Sequence, residues 1–418
     1  MKITAFSDTL QLRSGNVGWW DKLARKIVFR ILNTIEFGSL RILEEGDTQV
    51  FGNSSDDLPV GMTEIKATIT VHHPSFYRCI AQNGSIGAAE AYIAELWSTN
   101  DLTSVVQLLC RNMSQLEKID GGLTKFANIA SLIRHRHSRN SRRGSKDNIH
   151  AHYDLSNDLF ALFLDERMMY SSAVFASDQD SLEQASLHKL ELLAEKLQLQ
   201  RHHHVIEIGS GWGGMATHLA QQYGCNVTTT TISREQYEYT REKVKQLGLQ
   251  DKITVLDQDY RDLTGEFDRL ISVEMIEAVG HEYFSTFFAK CNELVKQGGR
   301  MVLQAITVPE QRYDYAKKNV DFIQRYIFPG GCLPSLEVML QCTGNHTRFQ
   351  LDQLQDIGLD YAGTLKHWRE RFHASIPDVE KLGFDKAFQR LWEFYLCYCE
   401  GGFRERAIST VQVSFRKV

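Results

Sequence analysis

The chain has 418 residues, which suggests two or three domains of ordinary size. Hydrophobic residues make up 43% and charged residues 24%, a composition that excludes a disordered chain. The net charge of -5 shows no basic bias, so it does not indicate a nucleic-acid-binding protein. The eight cysteines form no CxxC pair, and there is neither a secretory signal nor a run of about 18 apolar residues. We therefore expect reduced thiols in a cytoplasmic protein without a membrane-spanning helix.

The N-terminal zone, residues 1–125, mixes helical and strand-like patterns. Apolar residues recur at helical spacing from Trp19 to Ile31, with basic residues on another face. The segment Ala67–His72 alternates like a strand, and Ala88–Trp97 is typical of a helix. This zone is therefore expected to fold as a mixed α+β domain.

A basic run from Arg134 to Lys146 follows and lacks apolar periodicity, so we predict a linker over 126–150. A solvated loop explains the charges. Docking on anionic lipid headgroups explains them as well, at about 1 kcal/mol per basic residue. Nucleic-acid binding is less favoured, because no aromatic residues are interleaved to stack on bases.

From about His150 onward, apolar strands alternate with helices, which predicts an α/β fold with a parallel, doubly wound sheet. The predicted strands are short and rich in apolar or β-branched residues, and they cover His204–Ile208, Asn226–Thr231, Ile253–Leu256, Arg269–Val273 and Arg300–Ile306. Helices are predicted at Met215–Tyr223 and Glu235–Leu247.

A glycine-rich segment, Glu207–Gly214 (EIGSGWGG), follows the first of these strands and opens a helix. Glycines let the backbone turn sharply and approach a ligand closely. The GxGxGG spacing differs from the GxGxxG of dinucleotide folds, and no lysine and hydroxyl pair makes a Walker loop. Glu207 stands two residues before Gly209, where a carboxylate suits the cationic amino end of a ligand.

Further candidate contacts follow the next two strands. The hydroxyls and amide of Thr231–Gln236 suit a ribose, although capping of the next helix by Ser233 explains them equally well. Asp259 is suited to the exocyclic amine of an adenine ring beside Tyr260. Together the three segments indicate S-adenosylmethionine (SAM) rather than NAD. The predicted cofactor ligands in these segments are Glu207, Gly209, Ser210, Gly211, Thr231, Ile232, Ser233, Gln236, Asp259 and Tyr260.

Eight segments resemble the cyclopropane fatty acid synthases and the mycolic acid cyclopropane synthases and methyltransferases. They are HYDLSNDLF (152–160), MYSSAVF (169–175), VIEIGSGWGG (205–214), TISREQ (231–236), SVEMIEAVGHEYFSTFF (272–288), YIFPGGCLPS (326–335), TLKHWRERF (364–372) and YLCYCEGGFR (395–404). The resemblance implies a Rossmann-like class I SAM-dependent methyltransferase domain over 151–418. It also implies a smaller N-terminal domain over 1–125 of lipid-binding or dimerisation type, and hence a homodimer.

The implied reaction adds a methyl or methylene carbon from SAM to the cis double bond of an unsaturated phospholipid acyl chain, forming a cyclopropane. The enzyme would then associate peripherally with the inner face of the membrane. By resemblance, Tyr170 and Ser171 contact the methionine part of the cofactor. Glu277 matches the family's catalytic-site glutamate, and Tyr361 matches a tyrosine near the reacting centre.

In the family, the proton acceptor is a bicarbonate held by a cysteine, the glutamate, a histidine, a backbone site beside an isoleucine, and the tyrosine. Here Ser172 replaces the cysteine and Gln304 the histidine, whereas Glu277, Ile306 and Tyr361 are retained. A hydroxyl and an amide can still bind bicarbonate, so the cage either survives in altered form or is lost. Its loss would give a methyl-branched unsaturated chain. A SAM- and lipid-binding relative without catalysis is a further alternative.

Two other features have simpler interpretations. Cys399 matches a cysteine long treated as the family's active-site cysteine. We predict that it lies near the substrate pocket without a covalent role, because no cationic neighbour is evident. His202–His204 is predicted to bind no metal, because neighbours on a strand alternate faces. Aromatic residues that suit an acyl channel, although core packing also explains each, are Trp368, Phe372, Tyr395 and Tyr398.

Overall fold

The computed structural model describes residues 18–52, 62–119 and 155–418. The predicted linker at 126–150 lies outside these residues, as do residues 152–154 of the first family segment. Within the described part, no helix is both long enough and apolar enough to cross a membrane.

The helices and strands alternate through most of the chain. The helices are α1 Trp19–Leu32, α2 Ser75–Ile93, α3 Leu102–Arg111, α4 Met113–Ile119, α5 Asn157–Ala161, α6 Leu182–Leu197, α7 Gly214–His218, α8 Arg234–Gln246, α9 Phe284–Leu294, α10 Glu310–Lys318, α11 Phe322–Tyr326, α12 Leu336–His346, α13 Gly358–Ala374, α14 Ile376–Lys381 and α15 Lys386–Arg404. The strands are β1 Ser39–Glu44, β2 Asp47–Gly52, β3 Lys66–Val71, β4 Trp97–Ser98, β5 His204–Ile208, β6 Asn226–Thr231, β7 Ile253–Asp257, β8 Phe267–Val273, β9 Val295–Thr307, β10 Phe349–Asp356 and β11 Ser409–Lys417.

The described residues divide into two compact units, of which the first takes residues 18–52, 62–119, 319–327 and 376–407. Its sheet has the order β2-β1-β3-β4, with β1 and β3 parallel and the other pairs antiparallel. The helix and strand predicted near Trp19 and Ala67 are confirmed. The helix predicted over Ala88–Trp97 is wrong at its end, because α2 stops at Ile93 and Trp97 pairs with β3.

The boundaries of this unit differ from those predicted from the sequence, because helix α15 packs against α3 of the N-terminal segment. A Cβ added at Gly401 on α15 would lie 2.7 Å from Cγ1 of Val106 on α3, so the two helices approach closely at this glycine. The Arg111 guanidinium also pairs with the Glu405 carboxylate, with 2.8 Å between Nε and Oε2. The first unit is therefore built from distant parts of the sequence.

The second unit takes the described residues 155–318, 328–375 and 408–418. Its seven-stranded sheet has the order β10-β11-β9-β8-β5-β6-β7. The five strands from β9 to β7 are mutually parallel, which confirms the prediction of a parallel α/β sheet for this part. The last strand, β11, runs antiparallel to both of its neighbours, β9 and β10.

Two apolar layers cover the two faces of this sheet. Neighbouring strand residues alternate between them: Ile206 and Leu270 lie in one cluster, whereas Val205 and Ile271 lie in the other. This alternation follows from the period of two in a strand. Because both faces are covered, the carboxyl ends of the parallel strands are the edge at which an α/β sheet binds ligands.

Candidate active site

The glycine-rich segment turns sharply after β5. The backbone N–H groups of Gly209 and Ser210 both donate to the Thr230 carbonyl oxygen, at 3.0 and 2.9 Å. The φ values are +97° at Gly209 and +49° at Gly211, in the left-handed region that favours glycine. A Cβ added at Gly211 would meet no protein atom within 4 Å. The loop therefore leaves open space against its backbone, as the close approach of a cofactor requires.

Glu207 lies at the base of this loop and is almost completely buried. Burial raises the pKa of its carboxyl group to about 8. Its Oε2 atom is buried and has no hydrogen-bond partner among the described residues. A buried carboxylate oxygen without a partner is costly unless a ligand donates to it. This atom therefore fits the amino group of the methionine part of SAM.

The Gly211→Ala variant is expected to bind SAM at least tenfold more weakly, because the added methyl group enters the open space under the cofactor. The left-handed φ itself costs an alanine only about 1 kcal/mol of folding free energy. Isothermal titration calorimetry with SAM measures the affinity and urea unfolding the stability.

Gly248→Ala is the matched control, because Gly248 has a φ of +66°, a Cβ there also meets nothing within 4 Å, and it lies in the turn after α8. It is expected to lose similar stability and no affinity. Equal affinity loss in both variants would contradict the placement of the cofactor at Gly211.

The segment after β6 caps helix α8, as the simpler interpretation of the sequence predicts. Ser233 Oγ accepts from the Gln236 backbone N–H at 3.3 Å. The Thr231 hydroxyl donates to the Gln236 side-chain oxygen at 3.0 Å and accepts from the Ser233 N–H at 3.1 Å. These bonds fix the backbone around Ile232 at the carboxyl end of β6. The ribose contacts of this segment remain a prediction.

After β7, the Asp259 carboxylate is held by its neighbour Arg261. It accepts from the Arg261 backbone N–H at 2.9 Å and pairs with the guanidinium at 2.6 Å. The Tyr260 ring packs edge-on against Phe287, with 5.5 Å between centroids, so part of it belongs to the core. The adenine contacts of Asp259 and Tyr260 remain a prediction. The bonds from Arg261 already fix the orientation of the Asp259 carboxylate.

Aromatic rings form a continuous wall near the segment that is expected to contact methionine. The Tyr170 ring lies 5.1 Å from that of Phe160 and 5.3 Å from that of Trp368, centroid to centroid. Trp368 in turn contacts Tyr361 edge-on at 6.0 Å. Aromatic faces of this kind attract a cationic sulfonium or carbocation.

Three residues of the predicted cage, Ser172, Gln304 and Tyr361, meet at the side chain of Glu274. Oε1 of Glu274 accepts from the Ser172 backbone N–H at 2.9 Å and from the Gln304 amide at 2.8 Å. Oε2 accepts from the Tyr361 hydroxyl at 2.8 Å. The Ser172 hydroxyl donates to the Ala173 carbonyl instead. Glu274 was not among the site residues predicted from the sequence.

Glu277 lies three residues after Glu274 in the sequence. Its Oε1 accepts from the backbone N–H of Ile306, the retained isoleucine. Burial, and then the charge of Glu274, raises the pKa of Glu277 to about 8. Its Oε2 is buried and has no hydrogen-bond partner among the described residues. The charge on Glu274 therefore disfavours ionisation of Glu277, and the two glutamates titrate as a coupled pair.

A buried lysine, Lys189 on α6, supplies the opposing charge. It is fully buried, and its ammonium group donates to the Ser171 hydroxyl at 2.9 Å. Burial lowers the pKa of Lys189 to about 8, whereas Glu274, Asp165 and Glu207 act to raise it. This lysine was not predicted from the sequence either. The segment SVEMIEAVG does contain a signal for Glu274, because it places a second carboxylate three residues before Glu277 and directly after a strand.

Cys399 lies on α15 in the first unit, whereas the glutamates and Tyr361 lie in the second. Burial raises the pKa of the Cys399 thiol, so it is a poor nucleophile. Of the predicted channel residues, Trp368 and Phe372 are buried in the second unit, and Tyr395 and Tyr398 belong to the first. The acyl channel remains a prediction.

The consecutive histidines bond to different partners. His203 Nδ1 accepts from the Gln200 N–H at 3.0 Å, whereas His204 Nε2 lies 2.9 Å from the Thr228 hydroxyl. Among the described residues, no cluster of three or more His, Cys, Asp and Glu side chains is arranged to hold a metal ion.

The sheet order, the glycine-rich turn and the unpartnered Glu207 oxygen define a Rossmann-like class I SAM-dependent methyltransferase, with SAM as its cofactor. The family model of mycolic acid cyclopropane synthetase matches residues 140–413. This chain belongs to that family.

Relatives within the family cover most of the chain. It is 37% identical over 367 residues to tuberculostearic acid methyltransferase UfaA1 of Mycobacterium tuberculosis, covering 86% of this chain and 85% of the relative. It is 36% identical over 354 residues to the cyclopropane-fatty-acyl-phospholipid synthase of Escherichia coli, covering 84% and 88%. Among solved structures, mycolic acid cyclopropane synthase CmaA1 complexed with SAH and CTAB is similar with a TM-score of 0.61 and 30% identity, over 65% of this chain and 98% of that one. These similarities support an enzyme that modifies lipid acyl chains.

Proposed function

We propose that this methyltransferase alkylates the cis double bond of an unsaturated phospholipid acyl chain and closes a cyclopropane ring. The observation that carries the proposal is the carboxylate pair, Glu274 and Glu277. The Tyr361 hydroxyl donates to Glu274, and its ring packs against Trp368. An isolated alkene has no acidic proton to remove before alkylation. A base is needed only afterwards, and an apolar site containing one carboxylate meets that need.

SAM, when bound, supplies an electrophilic methyl group on a sulfonium centre. Attack by an alkene carbon leaves a carbocation, which water would destroy. The buried rings of Trp368 and Tyr361 exclude water and present π faces. The negative charge of Glu274 stabilises the cation in a low-dielectric site. The residues of this site therefore fit an alkylation that passes through a cation.

A second candidate product is a methyl-branched unsaturated chain formed without ring closure. Its support is the replacement of the expected cage residues by Ser172 and Gln304, whose amide points at Glu274. It is also supported by the name of one relative, tuberculostearic acid methyltransferase. A third candidate is a SAM- and lipid-binding protein without activity. That candidate gives no role to the carboxylates of Glu274 and Glu277.

Mass spectrometry of lipids tests these candidates in cells rich in monounsaturated phospholipid, with and without the protein. We expect an acyl chain to gain one carbon and to take up no hydrogen under mild hydrogenation that spares cyclopropane rings. Uptake of one equivalent of hydrogen would instead establish the branched unsaturated product. No mass gain and no S-adenosylhomocysteine would favour the binding protein.

We further propose that helix α1 docks the enzyme on the membrane surface that contains its substrate. Trp19 and Trp20 are 67% and 55% exposed, and their rings stack 4.2 Å apart. Exposed basic residues share the helix, namely Lys22, Lys26 and Arg30. Exposed tryptophans beside basic residues suit an anionic bilayer interface.

The double variant Trp19→Ala, Trp20→Ala is expected to bind phosphatidylglycerol vesicles at least tenfold more weakly in co-sedimentation. Its rate on detergent-dispersed lipid is expected to stay within twofold, because these residues act on docking alone. Substitution of Val50, which is also exposed but lies on β2, serves as the control. Unchanged binding of the double variant would contradict docking through α1.

A further inference from the structure

The donors that the family resemblance assigns to a bicarbonate are already bonded to acceptors of the protein here. The Gln304 amide donates to Glu274 at 2.8 Å and to the Ser172 carbonyl at 3.2 Å, and its oxygen accepts from Gln412 at 3.0 Å. The Tyr361 hydroxyl donates to Glu274. The Ile306 N–H donates to Glu277. The donors expected to hold a free anion are thus directed at carboxylates of the protein.

Charge also argues against a second anion. The Glu274 carboxylate is surrounded by groups that donate to it, and its charge already raises the pKa of Glu277. A bicarbonate at the same donors would place another negative charge in contact with Glu274 at low dielectric. The structure therefore disagrees with a bicarbonate cage of the form that the family resemblance implies.

The backbone of Glu274 adopts a conformation that costs free energy, so other contacts must hold the residue in place. Its φ is +49°, in the left-handed region that a residue with a Cβ seldom adopts. Such conformations persist where the surroundings determine them, and they cluster at functional sites. Here the three hydrogen bonds from Ser172, Gln304 and Tyr361 keep the carboxylate where it is.

We infer that the Glu274 carboxylate replaces the bicarbonate and is itself the proton acceptor of the reaction, an inference that rests on the proposed function. After methyl transfer, the electron pair of one C–H bond of the new methyl group forms the C–C bond to the cationic carbon. The proton passes to a Glu274 oxygen and returns to water between turnovers. No external anion takes part, and the charges balance.

The acid–base properties of Glu274 suit this role. Burial raises its pKa above the ordinary value for a glutamate, whereas the donors Gln304, Ser172 and Tyr361 act to lower it. A carboxylate with a raised pKa is a stronger base, and a positioned general base commonly contributes about a hundredfold or more to the rate. Because the tyrosine and amide hold it, it needs no reorganisation as the proton moves.

Turnover in carbon-dioxide-free buffer tests the inference, with S-adenosylhomocysteine and lipid product measured on monounsaturated phosphatidylglycerol vesicles. The unaltered enzyme is expected to change its rate by less than about twofold when sodium bicarbonate is added. Glu274→Gln is expected to lose about a hundredfold or more. The exposed Glu191→Gln variant controls for the same chemical change and is expected to keep its rate.

Glu274→Gly provides a sharper variant, because glycine accepts the left-handed φ and removal of the side chain frees its three donors. It is expected to be inactive in the carbon-dioxide-free buffer and to regain activity with bicarbonate. A strict bicarbonate requirement of the unaltered enzyme, or full activity of Glu274→Gln, would overturn the inference.

A binding experiment tests without turnover whether bicarbonate occupies the site. The NMR line width of ¹³C-bicarbonate is measured in the presence of the protein and S-adenosylhomocysteine. The inference expects broadening with Glu274→Gly and none with the unaltered protein. Broadening with the unaltered protein would overturn the inference. If no lipid is modified under any condition, the proposed function fails, yet this binding comparison still shows whether Glu274 fills the anion site.

Discussion

Lys189→Met is expected to destabilise the second unit by about 3–5 kcal/mol and to reduce methyl transfer by at least a hundredfold. Lys189 is fully buried, and Glu274, Asp165 and Glu207 act on its charge. Methionine fills a similar volume, so the loss comes from charge rather than from a cavity. Removal of one partner from a buried charge cluster leaves the other charges uncompensated, which typically costs this much. Urea unfolding at pH 7 and S-adenosylhomocysteine formation measure the two effects.

Lys196→Met is the matched control on the same helix. The Lys196 ammonium group is also buried, but it donates to neutral side-chain oxygens, those of Gln355 at 2.9 Å and Gln412 at 2.8 Å. The substitution removes hydrogen bonds but leaves no buried carboxylate without a counter-charge. The expected loss of folding free energy is therefore smaller, about 1–3 kcal/mol. Equal losses of stability in the two variants would show that Lys189 does not neutralise the carboxylates.

The strands and the cofactor turn were predictable because their signals are local. Apolar, β-branched runs separated by helical periods gave the strands β5 and β6 with the observed bounds. The glycines at 209 and 211 are needed for backbone conformations that other residues rarely adopt. Ser233 was predicted to cap a helix on the same local grounds, and it does so.

The centre of the site was not predictable in the same way, because its contacts join residues that are 30 to 102 positions apart. The sequence suggested that Ser172 would act through its hydroxyl, yet its backbone N–H is the group that reaches Glu274. The identity of the residue at position 172 therefore matters less than the sequence implied. The burial of Lys189 was not predictable either, because helical periodicity does not show which polar residue of a helix is buried.

The domain boundary was missed for a related reason. Helix α15 carries the family segment near Cys399, and sequence continuity assigned it to the methyltransferase domain. Its packing against α3, which Gly401 permits, places it in the first unit instead. Amphipathic periodicity reveals that a helix has an apolar face but does not identify the surface that the face covers.

Glu277→Gln is expected to separate the roles of the two glutamates through its dependence on pH. The pKa of Glu277 rises from its ordinary value of 4.5 to about 8 in the folded protein, because of burial and then the charge of Glu274. A carboxyl group whose pKa is raised by folding stabilises the protein when protonated. That contribution is fully present below pH 4.5 and is lost as the pH rises through about 8.

Glutamine resembles the protonated form and can still accept from the Ile306 N–H. The variant is therefore expected to match the unaltered protein near pH 4 and to exceed its stability by about 5 kcal/mol at pH 9, measured by urea unfolding. Glu207, whose pKa is raised in the same direction, is present in both proteins and cancels in the difference. The exposed Glu242→Gln variant controls for the loss of one negative charge.

The activity of Glu277→Gln completes the assignment. If Glu277 works as the neutral member of the pair, its amide keeps the charge distribution, and the rate is expected to fall by less than about tenfold. The loss should then be far smaller than for Glu274→Gln, for which about a hundredfold or more is expected. Equal losses in both variants, together with parallel pH profiles of stability, would mean that the proton is shared differently. The charge would then lie on Glu277, and that residue would be the better candidate for the base.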